Sequence, residues 1–217
     1  MIGNRIAKLT LSGLAILGAA FPSAAIAQAD VGKNQEAREA LDTLGRCLAV
    51  VRAAEVGSYL RNPGESTWYA VTVRRNDEAP CVGLYAITAS QTAMRGAVAE
   101  AWYVINYADG APAAFSTAEN AAPSQAEAVE RIGAASEEAR PQVIVDEFAR
   151  CVAATMPLQV DALLRTSVAS DGESEAIGAL SAGFAPCAFE GQKLGFDAET
   201  LRAALAFALA RRAMQEA

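Results

Sequence analysis

The tripeptide Ala79-Pro80-Cys81 occurs a second time at Ala185-Pro186-Cys187, and its surroundings are repeated with it. Each copy carries an Arg-Cys pair (Arg46-Cys47, Arg150-Cys151) and a Leu-Arg step (Leu60-Arg61, Leu164-Arg165). In each, an arginine (Arg95, Arg202) then opens a long apolar helical pattern. Equivalent residues lie 104 apart at the first cysteine and at the Leu-Arg step, 106 apart at the second cysteine and 107 apart at the arginine. A register that holds and then drifts slightly is what two small loop insertions leave behind. The period exceeds the ~20–50 residues of a solenoid unit and marks a duplicated subdomain.

The segment 1–29 has the layout of a secretory signal peptide. Arg5 and Lys8 give a basic start, Leu9 to Phe21 is apolar, and Ala-x-Ala sites follow at Ala25-Ile26-Ala27 and Ala27-Gln28-Ala29. An uncleaved anchor is the competing expectation, but a span needs about 20 apolar residues. Cleavage removes two basic and no acidic residues, leaving 16 Lys+Arg against 25 Asp+Glu, a net charge of −9. Such a chain is repelled by nucleic-acid phosphates and anionic lipid headgroups. The sequence therefore predicts no nucleic-acid partner, and membrane contact only through an uncleaved N-terminal segment.

Export changes the meaning of the four cysteines. In an oxidising compartment they read as disulfides, and four cysteines allow three pairings. If each copy is a folding unit, the bonds are Cys47–Cys81 and Cys151–Cys187. Each closes a loop of about 35 residues, for which loop entropy gives roughly 3–4 kcal/mol. Zinc is the alternative, but the cysteines are widely spaced and the chain has no histidine.

Helical periodicity runs through both copies. Leu41, Leu44, Leu48 and Val51 share one face of a helix over Gln35 to Arg52, and Val145, Phe148 and Val152 repeat it around Cys151. Val56, Tyr59 and Leu60 match Val160, Leu163 and Leu164, with Pro157 at the second start. Asp171 is a candidate N-cap for a helix over Glu173 to Ala182. The corresponding Thr67 to Val73 is β-branched and aromatic, which suits an extended run, although the copy argues for helix.

Ser90 and Asp197 are N-cap residues for the last helix of each copy. Met94, Ala97, Val98, Ala101, Trp102 and Ile105 form one stripe there. Leu201, Ala204, Leu205, Ala208 and Leu209 match its first five positions, but Arg212 answers Ile105. The second stripe thus ends about a turn early. Tyr107 to Pro123 reads as a linker, and Ser124-Gln125-Ala126-Glu127 as a capping box opening a helix to about Ser136.

The absence of histidine removes His-based acid–base and nucleophilic chemistry and imidazole metal sites. No Walker-type loop, dinucleotide fingerprint or calcium loop occurs in the sequence. A carboxylate mechanism would rest on Glu100 with Asp77 or Glu78 as partner, yet Phe207 stands at the equivalent of Glu100, and an exposed or ion-paired Glu100 is the simpler expectation. The repeated arginines Arg46/Arg150 and Arg95/Arg202 are expected to bond backbone carbonyls, with a ligand anion as the alternative. Trp68 and Tyr69, beside Arg74 and Arg75, are the candidate partner surface, against plain packing.

The order Arg-Cys, Leu-Arg, Ala-Pro-Cys and Arg95-Gly96-Ala97-Val98-Ala99-Glu100-Ala101 resembles an uncharacterised family of exported bacterial proteins with two-cysteine helical repeats. Arg202-Ala203-Ala204-Leu205-Ala206-Phe207-Ala208 departs from that pattern at the glycine and the glutamate. The resemblance implies export and all-helical repeats, and no activity.

The expected fold is all-α: two tandem helical repeats, each with one internal disulfide, at 30–107 and 125–217, joined by a linker at 108–124. Periplasmic or secreted, the chain is expected to be a non-enzymatic binding or scaffolding protein, with an envelope protein as candidate partner and no cofactor or metal. A small-molecule anion binder with a site between the repeats is the second expectation, and a His-independent hydrolase the third.

Overall fold

The computed structural model describes residues 35–63, 81, 89–117, 123–189 and 195–216. The segment 1–29 expected to be a signal peptide, the run 67–73, Asp77, Glu78 and the expected partner surface of Trp68, Tyr69, Arg74 and Arg75 lie outside the described residues.

Among the described residues the regular structure is all helical: α1 (Gln35–Val51), α2 (Ala53–Arg61), α3 (Gln91–Asn106), α4 (Ala114–Thr117), α5 (Gln125–Ala134), α6 (Arg140–Thr155), α7 (Pro157–Leu164), α8 (Asp171–Ser181) and α9 (Ala198–Gln215). A short 3₁₀ turn, Ala185–Cys187, carries the second Ala-Pro-Cys. Both disulfides join the expected partners: Cys47–Cys81 with Cα atoms 5.4 Å apart, and Cys151–Cys187 with Cα atoms 5.5 Å apart. Two such bonds are the chemistry of an oxidising, non-cytoplasmic compartment. No helix among the described residues is long and apolar enough to cross a membrane.

The helices form a row in which α1 packs on α3, α3 on α9 and α9 on α6. The central pair is buried nearly all round, and one contiguous core runs from Leu41 to Ala213. An alanine-rich interior gains little area per side chain, so its helices must approach closely. Gly45 makes this possible for α1 on α3: a Cβ there would stand 2.5 Å from the carbonyl oxygen of Ala97.

Local signals hold where capping chemistry sets them. Ser90 Oγ accepts from the Ala93 amide at 3.1 Å, Asp197 Oδ1 from the Thr200 amide at 2.7 Å, and Ser124 Oγ from the Glu127 amide at 3.4 Å. Four details differ from the sequence expectation. Ser170, and not Asp171, caps α8, accepting from the Glu173 amide at 3.2 Å. Val51 and Ile105 continue their stripes by period but are 51% and 45% exposed, because both lie at helix ends. The helix after Ser124 stops at Ala134, short of Ser136. The connection 108–124 contains α4, whose Phe115 is fully buried, so part of that stretch belongs to the core.

Candidate functional site

Two charged centres stand out, one built from both halves of the chain and one from the C-terminal half. The first surrounds Arg202, in the first turns of α9 and 3% exposed. Its Nε and Nη2 donate to Glu100 Oε2 and Oε1 at 2.9 and 2.6 Å, and its Nη1 donates to Glu173 Oε1 at 3.2 Å. Nη1 also reaches Thr166 Oγ1 at 3.0 Å, and Nη2 the Thr166 carbonyl at 2.8 Å. Arg38 of α1 donates to the same Glu173 oxygen at 2.6 Å. The other oxygen of Glu173 accepts from the amide of Ala169, which adopts a left-handed φ of 55°.

Arg202 and two carboxylates are thus buried together, with the part-buried Arg38 beside them, and the charges balance. Burial pushes the Glu100 carboxyl above its ordinary value, while its bonds to Arg202 pull it back. Burial also works against the charge on Arg202, but the bond to Glu100 and the charges of both carboxylates outweigh it and raise its affinity for the proton. The cavity beside this cluster measures about 30 Å³. That is space for about two water molecules. A sugar or peptide has no room there.

The second centre is a cleft of about 580 Å³ between one face of α6 and one face of α9, rimmed by α5. Among the described residues four arginines line it, Arg131, Arg150, Arg211 and Arg212, against three carboxylates, Asp146, Glu147 and Glu216. Arg131 donates to both oxygens of Glu147, at 2.6 and 3.0 Å. Arg150 donates to Glu147 Oε2 through Nε and Nη2, at 3.0 and 2.5 Å. Arg212 Nη1 binds the carbonyls of Ala153 and Ala154 at 2.8 and 2.7 Å, covering the C-terminal end of α6, and its Nε donates to Glu216 at 2.9 Å. Arg211 Nε donates to the Leu60 carbonyl at 3.1 Å. Between the charges lie Ala204, Phe207 and Ala208. Arg95, ion-paired with Asp146, stacks on the Phe207 ring at 4.3 Å.

Fixed sequence offsets connect residues of the two places. Asp42, Ala97 and Glu100 line the small cavity, and their equivalents Asp146, Ala204 and Phe207, at offsets of 104, 107 and 107, line the cleft. Glu100 pairs with Arg202 at the first, whereas Phe207, buried, packs under Arg95 at the second.

Several sequence expectations meet this geometry directly. Glu100 is ion-paired and buried. Arg46 and Arg150 bond the carboxylates of Asp42 and Glu147 rather than backbone carbonyls, because each shares a helix face with an acid three or four positions earlier. Arg202 does reach carbonyls, though its main partners are the acids. Arg131, Arg211, Arg212 and Glu147 were not singled out by motif. Arg212 had a visible signal, since it breaks the apolar stripe that Ile105 continues in the first copy.

No protein-family model, curated protein or solved structure matches this chain.

Proposed function

We propose that this is an exported, non-enzymatic binding protein made of two copies of one disulfide-stapled helical module. Its ligand is a small organic anion held in the cleft between α6 and α9. The observation that carries this is the concentration of four guanidiniums around a 580 Å³ cleft in a chain whose formal charge is −7. The volume falls within the ~300–1,000 Å³ range of small-molecule sites.

The duplicated architecture draws support from contacts that exchange under the repeat register. Gly96 and Ala203, 107 apart, touch each other. Arg95 stacks on Phe207 while Arg202 pairs with Glu100, and both members of the second pair follow from the first by the same offset of 107. Exchange of this kind is the mark of a two-fold relation. The buried ionic lock then spans both copies, through Arg38 and Glu100 of the first and Glu173 and Arg202 of the second, and the open cleft belongs to the second. The two disulfides, the N-terminal apolar run and the resemblance to exported two-cysteine repeat proteins support a periplasmic or secreted location.

The test is equilibrium binding of a fluorescent organic anion to the oxidised protein at low ionic strength. Saturable one-site binding should weaken about tenfold or more in Arg150→Gln, since a charge-assisted bond to the ligand is lost. Equal binding of an uncharged analogue, or no response to the substitution, would refute the reading.

A further inference from the structure

Resting on that cleft as the binding site, we infer that its ligand is a monocarboxylate with an apolar body, gripped by Arg211 and Arg150. Three of the four arginines are held by the protein through two nitrogens each: Arg131 and Arg150 through Nε and Nη2 to Glu147, and Arg212 through Nε and Nη1 to Glu216 and the end of α6. Arg211 uses only Nε, towards Leu60, and among the described residues its Nη1 and Nη2 have no hydrogen-bond partner. Arg150, though bound to Glu147 through Nε and Nη2, is the arginine that α6 contributes to the same cleft. The two stand on facing helices of one cleft. A planar fork of two N–H donors matches a carboxylate, with a second guanidinium to share the charge.

The surroundings limit the ligand's charge and shape. Four arginines and three carboxylates line the cleft, and one of those carboxylates, Asp146, is already paired with Arg95. Of the arginines lining it among the described residues, Arg211 alone offers both Nη atoms, and a second negative charge would face Glu147 and Glu216. Dicarboxylates and inorganic phosphate dianion are therefore disfavoured. Ala204 and Phe207 are nearly fully buried, and the part-exposed Ala208 of α9 and Ala154 of α6 give the apolar surface beside Arg211, which suits an aliphatic body. The protein selects by charge number at one end and by apolar area along the other.

The experiment is isothermal titration of the oxidised full chain with octanoate, butyrate, octanamide, suberate and inorganic phosphate at low ionic strength. Octanoate should bind at one site, and butyrate at least about tenfold more weakly, since each buried methylene is worth about three- to fourfold. Octanamide, suberate and phosphate should each bind about tenfold or more weakly than octanoate. Arg211→Gln and the part-exposed Arg150→Gln should each lower octanoate affinity about tenfold, with thermal midpoints recorded to confirm that both variants fold. Tighter binding of suberate or phosphate, still lost in the arginine variants, would overturn the ligand class and leave the binding site standing. Absence of arginine-dependent binding by every compound would overturn both.

Discussion

Gly96 of α3 and Ala203 of α9 meet with no space for another atom: a Cβ built on Gly96 would stand 2.3 Å from both Cα and Cβ of Ala203. Two positions 107 apart in the sequence touch each other there, at the centre of the helix row. Gly96→Ala gains about 1 kcal/mol of intrinsic helix propensity. The clash is with backbone and cannot be relieved by turning a flexible side chain, so the helices must separate, and net destabilisation of about 1–3 kcal/mol is expected. Urea unfolding checks this, and an unchanged or higher midpoint would contradict the contact.

Arg202 links α9 to α3 and α8 through Glu100 and Glu173. Arg202→Met leaves Glu100 buried without its partner and should cost about 3–5 kcal/mol. Adding Glu100→Leu should restore much of that loss, because Glu173 keeps its ion pair with Arg38. Chemical denaturation of the single and double variants measures the recovery. A single variant as stable as the parent would mean that the cluster is not paired as described.

Burial pushes the phenols of Tyr59, Tyr103 and Tyr107 above their ordinary value. The effect is largest at Tyr103, whose hydroxyl also donates to Asp161 Oδ1 at 2.8 Å. In the unfolded chain these phenols ionise near pH 10. Above that pH the unfolded chain has released protons that the folded protein keeps. Stability from this source is therefore complete below about pH 10 and falls as pH rises through it. Absorbance at 295 nm should show these three of the five tyrosines lagging until the protein unfolds. Tyr103→Phe should flatten the alkaline loss, and all tyrosines titrating together near pH 10 in the folded state would contradict the burial.

The staples and the cap-defined helix starts were legible because their causes are local. Cysteine pairing followed from the repeat, and Ser90, Ser124 and Asp197 stand directly before the helices they cap. Ser170 was missed because Asp171, next to it, is an equally good cap type; only backbone direction decides which side chain turns back on the helix. Periodicity overextended the stripes to Val51 and Ile105 because it reports the face a residue occupies, not how far the neighbouring helix reaches. The cleft was the least legible part. Arg131 and Glu147 are joined by the packing of α5 on α6, and Arg211 reaches Leu60 from the far end of the chain. No spacing in the sequence encodes those meetings.

The most direct test is amide and methyl NMR of the labelled, oxidised protein titrated with octanoate at low ionic strength. Shift changes confined to the facing strips of α6 and α9, at Arg150, Ala154, Ala208 and Arg211, are the expected result. Changes centred instead on Thr166 to Glu173 around the ionic cluster, or none at saturating octanoate, would contradict a carboxylate site between these helices.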